Sequence, residues 1–314
     1  MGDELYSEIY LGGRVSRRAA FAAAWKTRKQ NLQQLDDFDA VVVQKGVLPG
    51  LYAGFERKIA ARKPLVFDFD DAIWLPRQGG SPVLRALHRE RSVQAILRCS
   101  RAVMAGNQYL ADYARRFNSN VTVVPSTIDL TQYSTTPPLH HSTILSIGWI
   151  GSRTTLPYLK PLRPVFEQLQ IVPRVIASGD TGALGFKVEF RPWRLETELQ
   201  ELRQIGIGIA PLPDTPWERG KCGVKLLQYM ACGIPIVASP VGVHREIIRH
   251  GENGLLAESH TEWIESLDAL LHQPALREKL GRAGRRTVEQ RYDIPIAAQK
   301  VAVVLKGLAS SRLV

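Results

Sequence analysis

The chain is short of cysteine and of acid, and it has no long apolar run. Cys99, Cys222 and Cys232 are its three cysteines in 314 residues, too few and too scattered for a disulfide framework. Cys222 and Cys232 have no cysteine or histidine partner at zinc spacing, so no metal site is expected. No apolar stretch approaches the roughly 20 residues of a membrane span. The opening MGDELYSEIYLGGRV lacks the apolar core of a secretory leader. Together these absences lead to the expectation of a reducing, cytoplasmic setting.

Acids are outnumbered. The 30 Asp and Glu face 41 Lys and Arg, a net charge of +11. Much of the surplus lies in the first third, from Arg14, Arg17 and Arg18 through Lys26, Arg28 and Lys29 to Arg98 and Arg101. Two readings stay open: ordinary solvated helix faces, or attraction to an anionic membrane or lipid-phosphate acceptor at the inner membrane face. Nucleic acid is not expected, because no helix-turn-helix, zinc finger or aromatic-basic RNA platform is legible. Hydrophobic content of 45% and charge of 23% are those of a folded soluble protein, and the length suffices for two cores.

Strands and helices alternate along the chain. β-branched and apolar runs at 39–44, 64–70, 101–105 and 121–124 read as buried strands. Helical spacing falls at 14–35, 50–62, 82–98 and 107–117. A polar, proline-containing stretch at 131–142 reads as a linker. A second series follows, with strands at 143–147, 172–177, 186–190, 205–210, 234–239 and 254–257. Helices are expected at 155–169, 195–203, 224–231, 243–249, 260–271, 274–290 and 294–309. This pattern predicts an α/β protein with two doubly wound, Rossmann-like domains facing a cleft, ligands lying beyond the C-terminal strand ends. The predicted divisions are 1–135, 143–292 and a final helical segment, 293–314.

The richest stretch is 220–258, GKCGVKLLQYMACGIPIVASPVGVHREIIRHGENGLLAE. A glycine-flanked basic turn, Gly220-Lys221-Cys222-Gly223, precedes a helix, and a strand then runs into a second glycine turn at Gly242. Free N–H groups, the helix dipole and a cation suit a bound phosphate. Lys225 and Gln228 are three apart and share one helix face. Leu226, Leu227, Tyr229 and Met230 are left for packing. His244, near a helix start, is a further phosphate candidate. A plain turn, core helix and core strand is the alternative reading of this stretch.

Two further places carry chemistry. Asp68, Asp70 and Asp71 end the strand at 64–70, at the mouth of a parallel sheet. Their mutual repulsion calls for a cation, a donor-rich ligand or raised pKa values. They serve equally as caps of the next helix. Residues 146–155, SIGWIGSRTT, end the first strand of the second series. There Gly148 and Gly151 let backbone approach a ligand, and Ser152 can cap a following helix to give a second anion-facing N-terminus. Trp217 either stacks on a base or packs its loop, and Trp193 reads as core or loop packing.

The segment Gln228-Tyr229-Met230-Ala231-Cys232-Gly233-Ile234-Pro235, followed by Gly242 to Glu246-Ile247-Ile248 and Gly251-Glu252-Asn253-Gly254-Leu255, resembles the nucleotide-binding part of retaining glycosyltransferases of family 4. Asn107 to Tyr113 and Val123-Val-Pro-Ser-Thr-Ile-Asp129 resemble the exit from that family's first domain. With these, the likeness spans nearly all of 39–300. It implies the GT-B fold, a final helix crossing back to the first domain, and a nucleoside-diphosphate sugar as donor substrate. The acceptor would be a glycan, a lipid-linked or a small molecule, with no cofactor. By resemblance, Asp70 and Asp71 face the sugar and acceptor, Asn107 faces the cleft, and Gly242 and Glu246 lie on the donor side with Gly223.

The chain departs from that family in three ways. It lacks the usual opening strand and glycine loop, so the first domain is expected to be abbreviated, by nature or through a misplaced start. Trp149 and Arg153-Thr154 stand where the family has an Arg and Lys for diphosphate, leaving Arg153, Lys221 and Lys225 to supply the charge. In the family's E-x7-E motif the first Glu touches the donor sugar and the second holds the ribose. Here Gly220 and Gln228 take those positions, with Glu218 or Asp214 as nearby substitutes for the first. The resemblance thus predicts metal-independent, electrostatic catalysis led by Lys225. The alternatives are a catalytically degenerate partner subunit and, more remotely, a haloacid-dehalogenase-like phosphatase using Asp68 and Asp70.

Overall fold

Parallel pairing of short, β-branched strands builds both halves of the molecule. The computed structural model describes residues 25–47, 53–75, 89–133, 145–179 and 182–310. The basic residues before Trp25, Arg85, and the linker beyond Tyr133 with His140 and His141 lie outside these. Two compact units result. One comprises the described residues up to Val124 with those from Gln299 onward, and the other runs from Pro125 to Ala298.

In the first unit, β1 (Val41–Gln44), β2 (Leu65–Phe69), β3 (Ala102–Ala105) and β4 (Val121–Val123) form a four-stranded parallel sheet in sequence order. The helices α1 (Gly54–Ala60), α2 (Arg89–Cys99) and α3 (Gln108–Arg115) alternate with the strands. Asn107 starts α3, its side-chain oxygen accepting from the Leu110 N–H at 2.9 Å. Val304 and Leu308, near the chain end, pack with Val66, Ala102 and Met104 of this sheet.

The second unit holds β5 (Ile147–Gly151), β6 (Arg174–Ala177), β7 (Glu189–Pro192), β8 (Ile207–Ala210), β9 (Ile236–Ala238) and β10 (Leu255–Leu256). Their spatial order is β10-β9-β8-β5-β6-β7, all parallel, so the winding direction reverses between β5 and β8. Its helices are α4 (Arg163–Gln168), α5 (Glu198–Leu202), α6 (Pro216–Arg219), α7 (Val224–Ala231), α8 (His244–Ile247), α9 (His260–His272) and α10 (Pro274–Arg291). The last helix, α11, runs Ile294–Ser310. Side-chain alternation sends Trp149, Val175, Ile207 and Val237 to one core cluster and their neighbours Ile150, Ile176 and Ile236 to another.

Two expectations need correction. The helix read over 155–169 is a 3-10 helix, Leu156–Leu162, before α4 begins. Pro157, Pro161 and Pro164 remove the N–H groups a continuous α-helix needs. The strand read at 143–147 is displaced: it begins at Ile147 and ends at Gly151, so Gly148 lies within the sheet.

Helix α7 is clamped from both ends. At its start Gly223 has φ of 71°, and a side chain there would meet Ile247. Past its end, Gly281 of α10 sits so close to the Gly233 carbonyl that a Cβ would come within 2.1 Å of it. Arg285 Nη1 donates to the Ala231 carbonyl at 2.6 Å, satisfying the helix C-terminus.

Candidate active site

Strands β5 and β8 pair at two positions, Ile147 with Ile207 and Gly148 with Gly208. Beyond Gly148 they splay, as expected where winding reverses. Tyr229 of α7 fills the gap with a fully buried ring. Its hydroxyl accepts from the Ile150 N–H at 3.0 Å and lies 3.4 Å from the Gly148 and Ile209 carbonyls. Backbone groups that β5 cannot satisfy through β8 are thus paired by a side chain. Burial pushes the Tyr229 phenol well above its usual range, so it stays protonated. A Cβ on Gly208 would lie 2.7 Å from the Tyr229 ring, so the residue there has to be glycine.

That wedge sets the register of α7 and aims Lys225 one turn away. The half-buried Lys225 side chain passes the end of β5, where Nζ donates to Thr155 Oγ1 at 3.3 Å. Nζ also stands 4.1 Å from the Trp149 ring centre. A Cβ on Gly151 would meet Nζ at 2.6 Å and the Trp149 ring at 2.5 Å, so the missing side chain makes room for this contact. Lys225 makes no ion pair among the described residues. Burial, and then the charge of Lys221, lower its pKa to about 7. Lys221 itself stands 5.3 Å from the Trp217 ring centre.

His244 adds a neutral group beside Lys225. It is buried, its Nδ1 is 3.0 Å from the Ser239 carbonyl, and burial lowers its pKa to about 4. The adjoining loop is pinned by Glu218, 2% exposed, which accepts from Tyr158 at 2.5 Å and from Thr215. The result is a pocket wall rich in cations and hydroxyls at the C-terminal end of β5, suited to an anion.

Several expected contributors have other duties. Gly148 makes room for Ile205, whose side chain would lie 2.4 Å from a Cβ, so packing and not ligand approach explains it. Ser152 caps no helix. Its hydroxyl meets those of Thr154 and Thr155 at 2.9 and 3.3 Å, and the prolines make the next segment a 3-10 helix without a side-chain cap. Asn107 is 2% exposed and spends its oxygen on capping α3, not on a cleft. Asp214 pairs with Arg219 at 2.6 Å on the surface. Gln228 Nε2 donates to Glu198 Oε1 at 2.9 Å. Gly242, with φ of 51°, lets the Arg219 backbone approach. Arg153 and Glu246 are exposed, the Arg153 stem lying along Gly179.

The first unit gathers its own charges at the ends of β1 and β2. Lys45 Nζ bridges Asp70 at 2.6 Å and Asp71 at 2.9 Å, so the cation that the carboxylates require is internal. Lys45 has φ of 57°, a left-handed conformation uncommon for a side-chain-bearing residue. Burial pulls its pKa down, but the hydrogen bonds and charges of Asp70 and Asp71 prevail and raise it. Burial and then the Asp70 charge push the Asp68 carboxyl up. Behind this loop Trp74 stacks on Tyr113 with centroids 3.7 Å apart.

Sequence reasoning passed over Lys45, Thr155 and Glu198, and it read Tyr229 for packing without its hydrogen bonds to β5. Lys45 follows a β run directly, and the three aspartates needed a cation, which was the available clue.

Residues 209–287 match the Glycosyl transferases group 1 family model. It is 25% identical over 272 residues to the phosphatidyl-myo-inositol mannosyltransferase of Mycobacterium leprae (strain TN), covering 76% of this chain and 71% of that protein. Among solved structures, it is similar to sucrose-phosphate synthase from Thermosynechococcus elongatus, with a TM-score of 0.74, 16% identity, and coverage of 95% and 81%. Anabaena HepE in complex with UDP and glucose gives 0.71, 16%, 89% and 80%. These likenesses establish the fold class, α/β with two Rossmann-like parallel-sheet units of GT-B type. They leave the haloacid-dehalogenase reading of Asp68 and Asp70 without support.

Proposed function

We propose that this chain moves a sugar from a nucleoside-diphosphate sugar to a glycan, lipid-linked or small-molecule acceptor, with retained anomeric configuration and without a metal or cofactor. The observation that carries the reading is Lys225, a half-buried cation without an ion-pair partner among the described residues, at the C-terminal end of β5. A cation so placed awaits an anion. It lies within the segment that matches glycosyl transferases group 1, and the HepE structure, of like fold, holds UDP and glucose. In this reading Lys225 and Lys221, with the first amides of α7, take the diphosphate and stabilise the charge that grows on it as the sugar departs. Asp70 and Asp71, held by Lys45, meet the acceptor. The work is done in the cytoplasm, at the inner membrane face where the acceptor is lipid-linked.

A second reading, a nucleotide-binding partner subunit without turnover, is favoured by Gly220 and Gln228, which replace two acids of the E-x7-E pattern. One experiment addresses both. Thermal unfolding is followed with UDP, GDP and ADP, with Lys225→Ala as control. A ligand at about 100 times its dissociation constant adds roughly 2.7 kcal/mol to a folded state that alone binds it. A shift with one nucleotide, lost in the variant, supports the donor site and names the base for turnover assays. Binding without turnover of any sugar favours the partner reading, and no shift defeats both.

A further inference from the structure

The carboxylate beside the Lys225 face of α7 does not belong to α7. Gln228, one turn beyond Lys225 on that face, donates from Nε2 to Glu198 Oε1 at 2.9 Å. Trp193 Nε1 donates to Glu198 Oε2 at 2.6 Å. Glu198, the first residue of α5, is half-buried and makes no ion pair among the described residues. Tyr133, 8% exposed, faces both Gln228 and Glu198 and keeps its proton. The Glu198 carboxyl is thus fixed from two sides by neutral donors, without an ion-pair partner among the described residues.

A carboxylate pair of oxygens offers about four acceptor sites, and two are occupied. What remains matches a ligand that brings O–H donors. A half-buried acid left without a cation is an unfavourable arrangement for stability alone. Lys225 and Gln228, the donor to Glu198, are three residues apart, about 4.5 Å along the α7 axis. A nucleoside 5′-diphosphate carries a phosphate and a vicinal ribose diol at such a spacing.

We propose that Glu198 is the acceptor of the ribose hydroxyls at the nucleotide site, and that Gln228 and Trp193 are the residues that position it. The inference rests on the donor-site reading above. It assigns to α5 the acid that position 228 of this chain lacks, with the Gln228 amide converted from ligand contact to support.

The test compares the nucleotide that binds best among UDP, GDP and ADP with its 2′,3′-dideoxy counterpart, by calorimetry on the full chain. Pyrophosphate probes the anion pocket alone. The wild type is expected to prefer the ribonucleotide about 10- to 100-fold, the scale of hydrogen bonds to a charged group. Glu198→Gln keeps the shape of the side chain and is expected to bring that preference below about threefold, with pyrophosphate affinity unchanged. The double variant Glu198→Gln with Gln228→Glu reverses the pair and is expected to recover part of the preference. Full preference in Glu198→Gln, or none in the wild type, overturns the assignment of Glu198 while leaving the donor site standing. Failure of the wild type to bind either nucleotide or pyrophosphate overturns the donor site and this inference together. Intact pyrophosphate binding by Glu198→Gln verifies that the variant is folded.

Discussion

The Lys225 ammonium stands 4.1 Å from the centre of the Trp149 ring, across the space that Gly151 leaves open. The indole face offers a cation a weak partner that forms no salt bridge, so the charge stays available to an anion. With its pKa at about 7, Lys225 is poised to gain a full proton when phosphate arrives.

That poise gives nucleotide binding a pH dependence of known sign. In the free protein Lys225 is charged below about pH 7 and neutral above it. Bound phosphate raises its pKa, so binding above pH 7 takes up a proton and weakens as pH rises. Affinity is expected to fall by up to about tenfold per pH unit between 7.5 and 9. Calorimetry in buffers of different ionisation enthalpy measures the proton uptake. Lys225→Met is expected to abolish the slope and reduce turnover by about 10² or more.

The same substitution should stabilise the empty protein. The folded pKa of Lys225 lies below its usual 10.5, so folding works against the lysine's charge. The penalty is full below pH 7 and fades as pH rises toward 10.5. At pH 6, Lys225→Met is expected to melt a few degrees above the wild type, and at pH 10 the gap is expected to close. Scanning calorimetry at the two pH values checks it.

Tyr229→Phe removes one oxygen and strands the Ile150 N–H in a dry core. The expected loss is about 1–3 kcal/mol, read from urea unfolding midpoints. An unchanged midpoint would show that the wedge acts through its ring alone.

His244 predicts acid lability. Its folded pKa of about 4 lies below the unfolded value near 6.5, so the unfolded chain binds the extra proton between them. Stability is full above about pH 6.5 and falls by about 3 kcal/mol toward pH 4 from this group. His244→Gln is expected to flatten that part of the stability profile.

In the first unit, Lys45→Gly relieves a left-handed backbone that costs about 1–2 kcal/mol, yet leaves Asp70 and Asp71 without their shared cation. Acceptor KM is expected to rise tenfold or more while nucleotide affinity holds, as separate titrations would reveal. Equal effects on both ligands would remove Lys45 from the acceptor site.

The periodicity of the sequence was enough to place the ten strands among the described residues within a few positions, because buried parallel strands are near-continuous apolar runs. It misjudged 155–169, where apolar spacing outweighed three prolines that decide the geometry. Lys225 was legible from its neighbours in sequence. The contacts of Thr155 and Glu198 with α7 were not, since Thr155 comes from the end of β5 and Glu198 from α5, both remote from it in sequence. Gly148 misled for a related reason, its space being taken by Ile205, which local pattern does not reveal.

The contact of Gly281 with the Gly233 carbonyl, together with the Arg285 bond to Ala231, also bears on when the anion pocket comes into being. Helix α7 leaves the ribosome well before α10 does. Residues Cys232 to Ile234 close the last turn of α7 locally, but until α10 docks the Ala231 carbonyl lacks the Arg285 donor, and Met230 lacks its cover at Gly284. A nascent chain halted before Gly281 would therefore hold every residue of the Lys225 pocket while the far end of α7 still lacked its packing partner.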